Sequence, residues 1–547
     1  MAATVGGRLE EVRRPRSLFG PDYLRLAALV VVAVGVHAWL VSHTALTARD
    51  SLGFARQALC FENPSFAPPN EDGRPKNTLD HIRAAEHPPG YPLAVWAADA
   101  ALQHVSGRPA PDRVLFACQV ANALAAVLLV VPTYLIGRML FSRNVGFAAA
   151  LLFQVLPVPA RITSDGLTEG VYLLAASVAI LLAVQAVRLP RISGFLLCGL
   201  ATGAAYLVRP EGLMIAAGPG AVALWFGLTR AWPRGAAFGR VAALFVGVAL
   251  VAVPYMAVIG KLSNKPTTPY LNPLQAPPGA IYRGGPESKR VVNAQPIFAA
   301  WWNHEKDAGR SRELWAFGAT FKEVNKGANY FVWPLAIFAA VALRRRFAAD
   351  PGVWVLAVLV ACNTALLVYL AARVGYVSER HTVLLTLMGC LFAAAGLPQL
   401  AAGLGQLVPR VERAGVRFTA ASLLVTLAAS SLPFTLKPMH EHRVGHKFAG
   451  LWLAERITDN DALVDPFCWA EWYAGRTLYR TSWNPSPSHC TYVIWEHKSE
   501  SPHSRLPALE EARRLKESPG ARVVYSWPEN VPWDTQGTVQ VWKLGGE

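Results

Sequence analysis

Eleven apolar stretches in this chain are long enough, or nearly so, to cross about 30 Å of hydrocarbon at roughly 20 residues each. This constrains the fold more than any other feature, because inside a bilayer every backbone amide and carbonyl must find its partner within the protein. Helices achieve that and open sheets do not. The stretches are Leu24–Leu46, Val114–Ile136, Val145–Ala160, Leu167–Val187, Gly194–Val208, Leu213–Leu228, Val241–Ile259, Tyr330–Leu343, Val353–Ala372, Thr382–Leu404 and Phe418–Phe434, numbered here as spans 1 to 11. Arginine recurs at every second turn between them: Arg138 and Arg143, Arg188 and Arg191, Arg230 to Arg240, Arg344 to Arg346, and Arg410 to Arg417. Short arginine-rich loops stay in the cytoplasm. The pattern predicts a polytopic α-helical membrane protein of about 11 spans with its N-terminus inside.

Composition excludes other classes. A chain of 547 residues that is 53% hydrophobic and 16% charged is too apolar for a soluble protein. Its formal charge of +16 lies in loops rather than on one soluble face, so no nucleic-acid partner is expected. The first apolar run is long for a signal peptide and lacks a small-x-small exit, so it is expected to remain as a helix. Cys118, Cys198, Cys362 and Cys390 lie inside apolar runs, and none of the seven cysteines has zinc-ligand spacing. Cys468 and Cys490 fall in one region expected outside the membrane, where an oxidising compartment permits a disulfide between them.

Three regions follow: a cytoplasmic segment 1–23, a membrane domain 24–436 with outer loops 47–113 and 261–329, and an extracytoplasmic α/β domain 437–547. In that last region Ala462–Val464, Thr491–Trp495, Ala521–Trp527 and Thr538–Leu544 read as strands. Lys447–Ile457 and Leu506–Lys516 have helical spacing. In the first outer loop, Ser51–Leu59 reads as a short helix that Asp50 is placed to cap. Tyr91–Val105 is apolar but too short to cross comfortably, and reads as a helix lying in the interface.

A charge inside a membrane is expensive, so polar residues gathered at one face of a bundle invite a functional reading. The outer-face set is Asp50, Glu86, His87, Asp165, Glu169, Arg209, Glu211, Arg373, Glu379, Arg380 and His381. Its carboxylates suit deprotonation of a hydroxyl, and its arginines suit a phosphate. With an apolar wall to admit a lipid tail, these are the parts of a lipid-phosphate-dependent transferase.

Five motifs carry a family resemblance: Arg49-Asp50-Ser51-x-x-Phe54-Ala55, His87-Pro88-Pro89-Gly90-Tyr91-Pro92-Leu93, Ser164-Asp165-Gly166-Leu167, Arg209-Pro210-Glu211-Gly212-Leu213 and Glu379-Arg380-His381. By their order and membrane side, the chain resembles GT-C fold glycosyltransferases, in the group of protein O-mannosyltransferases and the aminoarabinose transferase of lipid A. The resemblance covers about residues 20–400. It implies a polyprenyl-phosphate sugar donor, an acceptor that is a protein, lipid or glycan, and inverting transfer on the extracytoplasmic face. It further implies a bacterial inner (plasma) membrane location. Asp50 is the expected general base, and Arg380, helped by Arg209, is expected to hold the donor phosphate. Glu86, His87, Tyr91, Asp165, Glu211 and His381 complete the expected substrate-binding set. The chain departs from the family where Ser51 follows Asp50 instead of a second acid, and where His381 replaces an aromatic residue. No metal ligand set is evident.

Each residue also has a plainer reading. Asp50 and Asp165 could be helix caps, His87 could shape a turn, Arg209 and Glu211 could be a structural ion pair, and Arg380 could pair with Glu379. Asp459-Asn460-Asp461 spells a metal-nucleotide pattern, but at a helix-to-strand turn where such residues are common. A lipid or polysaccharide transporter is the competing function. It would need a polar path through spans that are nearly free of charge at mid-depth. A scaffold acting through 437–547 alone would leave Asp50 and Arg380 without purpose.

Overall fold

The computed structural model describes residues 22–63, 77–264, 312–374, 377–458, 460–476, 490–497, 507–532, 535 and 537–545. Nearly all of the segment 1–23 lies outside the described residues, as does most of the outer loop expected over 261–329. The last part of that loop is the helix Arg312–Gly327.

The apolar runs are helices. Among the described residues eight helices are long and apolar enough to cross a membrane, and a ninth crossing is formed if one bent pair counts as a single span. Two shorter apolar helices, Ile192–Val208 and Val332–Ala342, stand where the sequence places spans 5 and 8. The bent pair corrects the reading of span 3. Arg143–Val155 and Pro157–Ser164 meet at 66°, so Arg161 to Ser164 are helical rather than an open turn. Pro157 supplies no backbone donor and Leu156 before it is extended, at ψ 137°, so the helix breaks there and restarts. The restarted helix is anchored by a buried polar set. His37 of span 1 meets Ser164 Oγ at 2.6 Å and Gln154 Oε1 at 2.8 Å.

The arginine-rich helix ends are pinned by acids. Asp22, at the start of span 1, receives Arg138 at 2.5 Å and Arg143 at 3.0 Å. At the same end Arg188 pairs with Asp350.

The strands expected past residue 437 form one four-stranded sheet: β1 (Ala462–Val464), β2 (Thr491–Glu496), β3 (Arg522–Trp527) and β4 (Val539–Leu544), in spatial order β1-β2-β4-β3. β1 and β2 run parallel, and the other two pairings are antiparallel. Val493 and Ile494 of β2 and Val539 and Val541 of β4 are fully buried. The sheet region does not stand apart from the bundle. Trp469 and Trp472, in the short helix after β1, join the main apolar core, and Trp472 Nε1 donates to the Pro111 carbonyl at 3.1 Å. Lys447 meets Asp112 at 2.8 Å.

The expected Cys468–Cys490 disulfide is not formed, and both thiols are free. Cys468 packs with the main core, and burial pushes its thiol up to about 12, while Cys490 packs with the sheet. A buried thiol held protonated is a poor partner for disulfide formation. In the Asp-x-Asp sequence Asp459 lies outside the described residues. Asp461 accepts from the Thr458 amide and hydroxyl, both at 2.8 Å, and so closes a turn.

Candidate active site

The site lies at the helix ends opposite the Asp22 cluster. The helix of span 1 ends at Ser42, short of the expected Leu46; the chain then crosses Thr44, bridged to Met439, and re-enters a helix at Asp50, the first residue of Asp50–Glu62. Asp50 does not cap that helix. Arg49 occupies the cap position without a side-chain capping bond, and the Asp50 carboxylate turns away to Arg380 Nη1 at 2.5 Å. Arg380 comes from the 3-10 turn Glu379–Thr382 that leads into span 10.

Arg380 is the middle of a chain of charges. Its Nε donates to Glu169 Oε1, the same oxygen that Arg209 Nη1 reaches at 2.6 Å. Arg209 Nε lies 3.6 Å from Glu211. Three carboxylates thus face two guanidiniums, which leaves one formal negative charge in excess. Access differs sharply along the chain: the Glu169 side chain is wholly buried, Arg380 is 27% exposed and Asp50 is 49% exposed. Partial burial penalises the Asp50 charge, but Arg380, with His87 and Arg49 nearby, overrides it and holds the carboxyl down at about 2. Burial and the Asp50 charge both push Glu86 up.

The remaining predicted residues surround this chain in different ways. His87 packs against Phe54 at 4.8 Å between ring centres. Tyr91 is fully buried, edge-on to Phe54, and donates to the Cys118 carbonyl at 2.8 Å. Gly90 in this His-Pro-Pro-Gly-Tyr motif permits a close approach, since a Cβ there would come within 2.6 Å of the Leu207 carbonyl. His381 sits beside Arg380, and its Nδ1 meets Ser378 Oγ at 3.1 Å.

Asp165 is no cap for span 4, whose helix starts at Glu169 behind Thr168. Its Oδ1 accepts from the Ala48 amide at 2.9 Å and the Gly166 amide at 2.7 Å, and its Oδ2 meets His440 at 2.9 Å. It therefore holds the loop that delivers Asp50. Gly166 lets that loop close, because a Cβ there would come within 2.6 Å of the Ser51 Cβ.

The structure brings Asp50, Arg380, Arg209 and Glu211 together through Glu169, which the sequence reading left without a role. Its signal was available: a carboxylate in the first turn of an apolar helix is costly unless paired. Glu379, expected as the alternative partner of Arg380, instead meets Lys326 at 2.9 Å. The side chain of Arg373 lies outside the described residues. No group of three or more potential metal ligands occurs among the described residues.

Residues 87–259 match the family described as dolichyl-phosphate-mannose-protein mannosyltransferase. This match includes Asp165, Glu169 and Arg209, while Asp50 and Arg380 lie outside it. The fold is the GT-C fold of polyprenyl-phosphate-dependent glycosyltransferases. Among solved structures, ArnT from Cupriavidus metallidurans bound to undecaprenyl phosphate is similar at 13% identity and a TM-score of 0.54, over 97% of this chain and 100% of that one. The Archaeoglobus fulgidus oligosaccharyltransferase AglB, in complex with an inhibitory peptide and a dolichol-phosphate, is similar at 13% identity and a TM-score of 0.53, over 94% of this chain and 75% of that one. No curated protein matches the chain in sequence.

Proposed function

We propose that this chain is a membrane glycosyltransferase that moves a sugar from a polyprenyl-phosphate donor to an acceptor hydroxyl on the extracytoplasmic face, with Asp50 as general base. The observation that carries this reading is the Asp50–Arg380 pair, a half-exposed carboxylate 2.5 Å from a guanidinium at the mouth of a membrane bundle. A guanidinium fork suits phosphate, and a carboxylate beside it suits an attacking hydroxyl. Likeness to proteins solved with undecaprenyl phosphate and with dolichol-phosphate supports the donor class.

In this reading the donor phosphate lies against Arg380, with Arg209 behind it through Glu169. The acceptor oxygen attacks the anomeric carbon from the side opposite the phosphate, so one displacement inverts that carbon. Positive charge develops on the sugar ring as the bond to phosphate stretches, as in other glycosyl transfers. Phosphate is a good leaving group, and the enzyme's main tasks are to take the acceptor proton and to stabilise the departing charge. The acceptor can be a protein, a lipid or a glycan. The residues 437–547 then lie on the same side as the site.

The test is Asp50→Asn, which keeps size and removes the base. In the purified full chain, transfer from polyprenyl-phosphate-linked sugar is expected to fall at least roughly a hundredfold. Thermal stability and binding of undecaprenyl phosphate should persist. Full turnover by a folded Asp50→Asn protein would end the general-base reading.

A further inference from the structure

Arg380 has two carboxylate partners of opposite character. Glu169 sits in the first turn of span 4, wholly buried, and shares its Oε1 with Arg209, so it is fixed from two sides. Asp50 sits at the start of a helix that follows a loop, is 49% exposed, and among the described residues has its ion pair with Arg380 alone. One partner is held from two sides, and the other from one side at an open position. The polyprenyl phosphate of the proposed reaction needs the same guanidinium.

Resting on that donor reading, we propose that Glu169 is a positioning residue that pins Arg380 through Nε, so that the Nη1 end is exchanged between Asp50 and the lipid phosphate in each catalytic cycle. In the empty site Asp50 is occupied by Arg380 and is a weak base. The donor phosphodiester carries one negative charge and takes over Nη1. Asp50 then loses the partner that stabilises its charged form, and its affinity for a proton rises towards that of an ordinary carboxylate. The acceptor oxygen bonds to the anomeric carbon, and its proton passes to Asp50. The bond from that carbon to the phosphate oxygen breaks with both electrons on the oxygen, so the lipid phosphate leaves with two negative charges. Arg380, held in place by Glu169, faces that growing charge. Once Asp50 gives its proton to water it is again an anion, competes for Nη1, and helps expel the spent lipid.

The experiment is binding of undecaprenyl phosphate to the purified full chain in phosphatidylcholine nanodiscs at low salt. Removing a competitor should strengthen binding, so Asp50→Asn is expected to tighten the Kd at least about threefold, the scale of a half-exposed ion pair. Arg380→Lys, which lacks the planar fork, should weaken it about tenfold. Glu169→Gln keeps an acceptor oxygen for Nε and should bind within about twofold of the wild type, whereas Glu169→Ala should weaken binding about tenfold. A role as bulk negative charge predicts that both Glu169 variants bind more tightly, and that result would overturn the positioning role. If Glu169→Ala does not fold, tighter binding by a folded Glu169→Gln does the same. Unchanged or weaker binding by Asp50→Asn, with Arg380→Lys still impaired, would overturn the exchange and leave the donor reading intact. Wild-type binding by Arg380→Lys would remove the donor reading and this inference with it.

Discussion

Asp22 and Asp50 flank the two ends of span 1, and each pairs with arginine from a distant part of the chain. Asp22 is closed: its side chain is 1% exposed, Arg138 and Arg143 face it, and the Tyr134 hydroxyl donates to it at 2.7 Å. Asp50 is ion-paired to Arg380 and is half open to solvent. The chemistry at the two ends is the same, and the access is not. A carboxylate with several buried partners ties helices together, because its charge has nowhere else to go. A carboxylate with one partner at a mouth can exchange that partner for a substrate. The Asp22 end is thus a closed set of ion pairs, and the Asp50 end an open one.

The broadest break in this comparison would be topological. If the two ends face opposite compartments, reporter fusions after Arg143 and after Leu436 should report opposite sides, as the arginine alternation predicts. The same side for both would mean that the two ends do not face different compartments.

Stability should separate the acids next. Asp22→Ala leaves Arg138 and Arg143 facing each other without a counter-charge and should cost about 2–4 kcal/mol in reversible unfolding in mixed micelles. Asp50→Asn should cost no more than about 1 kcal/mol. Equal costs would mean that Asp50 is also a clamp.

The smallest effect concerns the sheet region docked over the mouth. Burial, with Asp465 nearby, raises the Glu471 carboxyl from 4.5 to about 8. Below pH 4.5 this group is protonated whether the chain is folded or unfolded, and it costs nothing. As pH rises from 4.5 to 8 the unfolded chain ionises first, so the folded state loses stability over that window, and the loss is complete above 8. Glu471→Gln should therefore lack this loss and melt about 2–4 °C higher than the wild type at pH 8.5, with no gain at pH 4. Parallel melting curves across the window would show that Glu471 is ionised in the folded protein.

The sequence by itself determined the apolar helices and the strands. Inside a bilayer backbone groups must pair within their own segment, so long apolar runs become helices whatever they pack against. β2 and β4 were legible for a related reason: a short run rich in Val, Ile and aromatic residues between turn residues already describes a half-buried strand. Asp50, Arg209 and Arg380 were legible as charges set against apolar runs. Their partners were not. Asp50 and Arg380 are 330 residues apart, Glu169 and Arg380 are 211 apart, and Asp165 and His440 are 275 apart. The sequence offered nearer choices, such as Glu379 beside Arg380, and a disulfide between two cysteines of one region. The tertiary structure decided against both. Span 3 breaks before Pro157 and turns Asp165 under the Asp50 loop, while span 4 brings Glu169 up beneath Arg380. Charge pairing depends on distance in space, and that distance is set by how helices from far apart in the chain dock. A local pattern records that a charge needs a partner; only the packed bundle selects which one.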